Sequence, residues 1–269
     1  MQTLTDLYKH RFILQNLVSK NLKVLYRNMA LGFLWSVVNP LIMVGVLTTV
    51  WVAFFDQPFS FALSVLVALV PYNLFVYCLS GCTTAIRDNV NLVKKVAFPR
   101  QILPVSVILT HVIQFPIPLA LVVFGLLLIP KDHPTVTVHL LWLIPIFIVQ
   151  IGLSFGVGFL VSALNTKYRD VRYIVESVLV VLFWMCPILY DASAKLTAGI
   201  DEGELPEWTW WVYFSNPLAG LLESYKSVLF YGVRPDLVIF GLTLGVTLVI
   251  GAIGVRMFWV HEKEFADLI

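Results

Sequence analysis

Apolar residues occupy this chain in long unbroken stretches, without the frequent polar interruptions of helices and strands that meet water. Six stretches stand out, at 33–55, 61–85, 102–129, 140–164, 172–190 and 236–259. At 1.5 Å per residue each matches a hydrocarbon core of about 30 Å, the fifth only just. The pattern predicts an all-α membrane protein with six spans in a single transmembrane domain over residues 1–269. Pro104, Pro116 and Pro118 in the third stretch, and Pro145 in the fourth, predict kinks where backbone hydrogen bonds are lost. The segment 1–32 reads differently. Leu7, Phe12, Ile13, Leu17, Leu22 and Leu25 recur at roughly helical spacing, with Lys9, Arg11, Lys20, Lys23 and Arg27 between them. This predicts an amphipathic helix at the membrane interface, and the lack of a short apolar core with a small-residue cleavage site argues against a cleaved leader.

Composition sharpens that picture. Of 269 residues 59% are hydrophobic and 13% charged, with a mean hydropathy of +0.88, too few charges to cover a water-soluble globule. A net charge of +2 gives no footprint for nucleic acid. With the amino terminus inside, fourteen of the eighteen Lys and Arg fall on the cytoplasmic side, against seven of the sixteen Asp and Glu. That asymmetry predicts a multi-pass membrane protein with both termini cytoplasmic. Tryptophans agree: Trp35 and Trp259 fall at inner ends of spans, and Trp51, Trp142, Trp208, Trp210 and Trp211 at outer ends. Cys78, Cys82 and Cys186 lie in apolar runs and read as small core residues, with no metal cluster.

The chain contains no phosphate loop, no G-x-G-x-x-G turn, no H-E-x-x-H pair and no G-x-S-x-G elbow. Nothing in it reads as catalytic, so the expectation is a transport protein and not an enzyme. Glu176 is the one acidic residue well inside a predicted span, and Arg172 four residues earlier offers it an ion pair, against the alternative of a proton relay. His111 and Gln114 read as interhelical hydrogen-bonding groups.

Two loops carry more pattern than a connection needs. Residues 86–101 place Arg87, Asn91, Lys94, Lys95 and Arg100 beside an apolar edge of Leu92, Val93, Val96 and Phe98, with Pro99 as the stop. This is either a short helix docked in a partner's cleft or a basic loop on anionic lipid. Residues 191–235 begin with the acidic run Asp201, Glu202, Glu204 and Glu207, then place Trp208, Trp210, Trp211, Tyr213 and Phe214 close together. These aromatics suit an interfacial anchor, a sugar contact, or both. Pro217–Phe230, carrying Glu223 and Lys226 three apart, is too short to span and reads as a re-entrant or outer-leaflet helix.

Five pieces in order resemble the ABC type-2 permeases that export lipid-linked polysaccharides such as O-antigen and teichoic acid. They are Tyr26–Pro40 with Leu31-Gly32-Phe33-Leu34-Trp35 and Asn39-Pro40; Asn91–Pro104 with Lys94-Lys95 and Phe98-Pro99-Arg100; Tyr168-Arg169-Asp170-Val171; Asn216-Pro217 with Tyr225-Lys226; and Glu264-Phe265-Ala266-Asp267. At Lys226 arginine is commoner in the family, and an ammonium lacks the planar fork of a bidentate phosphate contact. The resemblance implies a homodimer with two copies of a separate ATP-binding subunit, which binds ATP and Mg, so that this chain carries no cofactor. It also implies a bacterial inner-membrane setting, with 86–101 as the coupling helix on that ATPase and 191–235 as the outer gate. A sugar polymer sliding outward needs shallow aromatic sites and little charge, for which Trp51, Tyr72, Phe75, Tyr77, Phe183, Trp184, Trp208 and Trp211 are then candidates, and Arg27, Arg169 and Arg172, near the inner face, are candidates for holding a lipid pyrophosphate as substrate loads. The rival readings are a type-2 permease for a drug or small lipid, an ion-coupled secondary transporter, and a membrane glycosyltransferase.

Overall fold

Backbone N–H and C=O groups in hydrocarbon must be satisfied within the protein, and among the described residues the regular structure is entirely helical. The computed structural model describes residues 9–25, 27, 34–55, 58, 60–128 and 137–265. The sequence landmarks Leu7, Tyr26, Leu31, Gly32, Phe33, Ala266 and Asp267 lie outside them. In chain order the helices are α1 (Arg11–Leu25), α2 (Trp35–Phe55), α3 (Phe61–Thr84), α4 (Val90–Lys95), α5 (Ile102–Gln114), α6 (Pro116–Leu128), α7 (Leu143–Lys167), α8 (Val171–Met185), α9 (Ala192–Asp201), α10 (Trp208–Phe214), α11 (Pro217–Leu229) and α12 (Leu237–His261).

Five segments are long and apolar enough to cross a membrane: Val37–Phe55, Phe61–Thr84, Ile102–Leu127, Val138–Lys167 and Leu237–Glu264. They match five of the six predicted stretches. The fifth, expected over 172–190, ends as a helix at Met185, because Cys186 turns extended ahead of Pro187. Its 15 residues rise only about 22 Å.

Proline effects divide by position. The third stretch breaks at Phe115, so that α5 and α6 meet just before Pro116, as the prolines predict. The kink expected at Pro145 is absent, because this residue stands in the first turn of α7, where its missing N–H has no helical acceptor to lose. Pro104 sits equally early in α5. Pro40 and Pro71 instead lie inside α2 and α3.

Contacts give each helix its direction. Gln150 of α7 donates to the Pro71 carbonyl of α3 at 2.7 Å, and Asn165 further along α7 donates to the Thr83 carbonyl at 2.7 Å. Both positions advance together, so α3 and α7 run parallel. Trp142 meets Phe240 and Phe159 meets Phe258, making α12 parallel to α7 as well. Helix α5 runs the other way along α3, since Gly81 and Cys82 face Val107 and Pro104. Helix α3 is the most buried of the five candidate spans and forms the centre, with α2, α5, α6, α7, α8 and α11 packed on it. Its core includes Val65, Val67, Ala68, Leu69, Cys78 and Cys82.

The most extensive helix pair is α7 with α12. Apolar side chains gain little from leaving lipid for protein, so contact between spans depends on close fit, and small residues bring the backbones together. A Cβ added at Gly156 would stand 2.8 Å from the Gly251 Cα and N, and one at Gly254 would meet the Gly156 carbonyl.

Candidate functional site

Two ends of the bundle carry polar chemistry. At the first, α3 stops where side chains take over its final carbonyls and start a turn. Asn89 donates from Nδ2 to the Ala85 carbonyl at 2.8 Å, and the Thr84 hydroxyl donates to Asp88 Oδ2 at 2.6 Å. A 3-10 turn, Arg87–Asn89, leads into the six-residue α4, and the chain becomes extended at Val96. The predicted coupling helix is therefore one turn and a half followed by extended chain.

The apolar edge read from 86–101 is mostly turned inward. Val93 is buried in a core with Leu17, Ala85, Ile86, Ile102, Leu103, Ala163, Phe258 and Phe265, and Leu92 and Phe98 pack on that core half-buried. Burial of these apolar groups against the chain's own α1, α5 and α12 competes with docking to a partner and wins. What remains outside is Asn91, Lys94, Lys95, Val96 and Ala97, with Pro99 and Arg100 half-buried.

Hydrogen bonds lock the segment from three directions. Lys20 of α1 donates to Asn89 Oδ1 at 2.7 Å. Arg100 donates through its backbone N–H to Glu262 Oε1 at 2.9 Å and through Nη1 to the Glu262 carbonyl at 2.6 Å. Arg87 reaches from Nη2 to the Thr166 carbonyl of α7 at 3.3 Å. Burial, and then the nearby Arg169 charge, push the Arg87 guanidinium below its ordinary pKa. Helix α1 correspondingly turns Ile13, Leu14 and Leu17 onto the protein while Phe12, Val24 and Leu25 stay exposed. The stripe predicted to enter the headgroup region is thus divided between protein and surroundings.

Arg27, Arg169 and Arg172 are all exposed. Arg169 and Arg172 stand together at the start of α8, whereas Arg27 comes after α1. Arg172 pairs with Glu176 at 3.0 Å, the ion pair expected from their spacing, with both partners open to the surroundings.

The opposite end holds the aromatics. Two of the candidate conduit residues, Tyr72 and Phe75, are buried in the α3 core. Tyr72 donates to the Leu179 carbonyl of α8 and meets Phe183 edge-on at 5.6 Å, so both rings join helices within the chain. Tyr77, Trp184, Trp208 and Trp211 are exposed, and Trp51 is half-buried against Phe55 and Phe61. Helix α10 is two-sided: Phe214 is buried and Trp210 packs on it, leaving Trp208 and Trp211 outward.

Helix α11 is buried along nearly its whole length against α3, α7 and α12. Asn216 caps it by accepting from the Leu218 N–H at 3.1 Å, with Pro217 as its first residue. Gly232, at φ 65°, lets the chain turn away beyond it. Lys226 lies 2% exposed and donates to the Tyr190 carbonyl at 2.8 Å. Burial pushes the Glu223 carboxyl up and the Lys226 ammonium down, each toward its neutral form. Asp191 accepts from the Tyr231 hydroxyl and, as the cap of α9, from the Ala194 N–H.

Several of these residues escape a reading of the sequence. Gln150, Tyr225, Glu262 and Tyr231 sit far from their partners in the chain. Tyr225 donates to Gln150 Oε1 at 2.6 Å, which completes a link from α11 through α7 to α3. A lone glutamine in an apolar span is the one signal that could have flagged it. His111 and Gln114 do not make the interhelical bonds expected of them: His111 Nδ1 and Gln114 Nε2 have no partner among the described residues and line a small cavity with Tyr77 and Asn73.

Known proteins resemble this chain in sequence. The O-antigen export system permease protein RfbA of Myxococcus xanthus is 28% identical over 98% of both chains. Two proteins of that name from Klebsiella pneumoniae are 26% identical over 81% of this chain and 80% of theirs, and 24% identical over 94% and 93%. The family profile described as ABC-2 type transporter matches residues 14–230, a range that takes in all the candidate spans but α12. The chain belongs to the ABC-2 type transporter family, whose members are the membrane permease subunits that work with an ATP-binding subunit.

Proposed function

We propose that this chain is the permease of an ATP-driven exporter that moves a lipid-linked polysaccharide of the O-antigen type outward across the bacterial inner membrane. The observation that carries the reading is the likeness to an O-antigen export permease along 98% of both chains. The chain works as a homodimer with two ATP-binding subunits. Those subunits bind ATP and Mg and hydrolyse it; this chain, without a phosphate loop, supplies the path. Teichoic acid or capsule would meet the same requirements.

The six-span topology rests on direction. Helices α7 and α12 are parallel, so the chain between them must return across the membrane once. Helix α8, extended by residues 186–190, makes that crossing. Both termini are then cytoplasmic, in keeping with the basic inner face. Residues 1–269 act as one transmembrane domain, and 191–235 form its outer gate, with α11 lodged among the spans.

At the inner face Asn91, Lys94, Lys95 and Val96 meet the ATPase. Arg87, Leu92, Phe98 and Arg100 set the position of that surface, since they face the chain's own core or bond to it. Rigid attachment matters here: motion of the ATPase reaches the spans only as far as the coupling segment does not move independently. Arg27 and Arg169 are the better candidates for a pyrophosphate, as Arg172 already faces Glu176. Of the aromatic candidates, Tyr77, Trp184, Trp208 and Trp211 are open to a polymer passing between protomers.

The test is purification of the tagged chain from native membranes in mild detergent, wild type beside a Lys94→Glu/Lys95→Glu variant. An ATP-binding subunit at one to one, depleted in the variant, is the expected result. A chain that purifies alone and transports without an ATPase would overturn the proposal.

A further inference from the structure

The outer end contains a cavity of about 310 Å³ between the end of α2, the start of α3, the segment after α8 and the end of α11. It lies at the opposite end of α3 from the coupling segment, about 36 Å away along that 24-residue helix. Its volume is at the lower end of small-molecule sites, the size for one sugar ring and part of the next.

The lining is built for a polar molecule with an apolar face. Trp51, Phe61 and Tyr231 supply aromatic surface, on which the C–H face of a pyranose stacks. Lys226 contributes an ammonium that is 98% removed from solvent, and its hydrogen bond to the Tyr190 carbonyl leaves two further N–H groups to be met. An ammonium so buried is expensive unless its donors are met. Asp191 lines the cavity as an acceptor held in place by Tyr231 and by the cap of α9, and Lys195 stands exposed at the rim. An ammonium donates to a hydroxyl and a carboxylate accepts from one, so the set suits a polyol.

Charge selects within that class. Lys195 at the rim is offset by Asp191 in the cavity, and Lys226 by Glu223 behind it, one turn along α11, a pair that burial draws jointly toward its neutral forms. Glu223 is itself buried, with Oε2 unpartnered among the described residues. A neutral ligand leaves this balance intact, whereas a phosphate or a uronate adds a negative charge against the Asp191 carboxylate in the lining. We infer that the cavity is a binding subsite for one neutral hexopyranose unit, facing the outer side of the membrane. The assignment rests on the exporter reading for its biological sense, in that a polymer passing out would meet this subsite near its exit.

The experiment is saturation-transfer NMR on the purified permease–ATPase complex. The probes are methyl α-glucoside, α-mannoside and α-galactoside, with inorganic phosphate and glucuronate as anionic comparators. At least one neutral glycoside should receive magnetisation from aromatic protons, and neither anion should displace it. Ser64→Leu, which fills the cavity without changing a charge, should abolish the signal. Lys195→Ala, at the exposed rim, should weaken binding about fivefold, and Trp51→Leu by a similar factor through lost stacking. Elution volume and melting temperature, unchanged from wild type, establish that the variants are folded. No transfer to any neutral glycoside, displacement by phosphate or glucuronate, or binding by folded Ser64→Leu and Lys195→Ala equal to wild type would each overturn the assignment. The two readings fail separately: a co-purifying ATPase with no glycoside signal refutes the subsite alone, and glycoside binding by a chain without an ATPase refutes the exporter alone.

Discussion

Replacing Gly156 with alanine should destabilise the protein, although alanine is the better helix former. The added Cβ would lie 2.8 Å from two backbone atoms of Gly251, and ordinary contact begins at 3.4 Å. Backbone cannot rotate aside as a side chain can, so α12 must move off α7 by about 0.6 Å. A gap of that size forfeits about a quarter or more of each dispersion contact along the shared face, and overpacking of this kind costs about 1–3 kcal/mol. Relief of glycine's conformational entropy returns about 0.5–1 kcal/mol. The net expectation is a loss of about 1–2 kcal/mol. Gly251→Ala is the internal control, because its Cβ meets nothing within 4 Å and only the favourable term applies. The two alanines should therefore differ by about 2–3 kcal/mol in opposite senses from wild type, and Gly254→Ala, pressed against the Gly156 carbonyl, should be worse than Gly156→Ala. Unfolding in mixed micelles of increasing sodium dodecyl sulfate fraction, monitored by far-UV circular dichroism, orders the four proteins. Equal midpoints for Gly156→Ala and Gly251→Ala would refute the argument that glycine at this crossing is required by backbone approach.

Further predictions concern the two polar ends. Val93→Asp places a carboxylate in the core under the coupling segment and should leave no folded protein, whereas Val96→Asp, at a site 45% exposed, should fold normally and lose the co-purifying ATPase. Yield after size exclusion, with the associated subunit quantified, separates the two. Glu262→Ala removes the acceptor of the Arg100 N–H; hydrogen exchange across 96–101 should accelerate while global stability falls by about 1 kcal/mol, and unchanged exchange would mean that this bond does not brace the segment. Tyr225→Phe leaves Gln150 Oε1 without its buried donor and should cost about 1–2 kcal/mol in the same micelle titration.

What the sequence reveals and what it hides divides on a physical line. Lipid demands continuous apolar helices, and such runs are visible in the chain one residue after another; five of the six predicted stretches coincide with helices of spanning length. The three cysteines read as core residues and are buried and free of disulfides. The Arg172–Glu176 pair was legible because i, i+4 spacing places two side chains together by helix geometry alone. The failures are relations between distant residues, or between a helix and the backbone just beyond it. Helix α8 stops at Met185 because Cys186 is extended ahead of Pro187, which overrides a hydropathy that runs on to 190. Tyr72 and Phe75 have the right chemistry for a sugar path, but apolar periodicity cannot say which side of a uniformly apolar helix faces the bundle, and α3 is nearly uniform.

The coupling segment shows the same ambiguity with more consequence. Leu92, Val93, Val96 and Phe98 form one apolar set in sequence, and the fold separates them by use: Val93 is buried, Leu92 and Phe98 rest on its core, and Val96 is left outside. A six-residue helix has almost no stability alone, since nucleation consumes most of what its few hydrogen bonds return. Its shape must come from the surface beneath it. That surface is drawn from α1, from the starts and ends of spans, and from Phe258 and Phe265 near the end of the described chain. Under the proposed coupling role, a push delivered at Lys94 and Lys95 would pass through Val93 into α5 and α12 together, and through Arg87 into α7. Were the segment held by its own connections only, the same push would bend it against lipid and move no span.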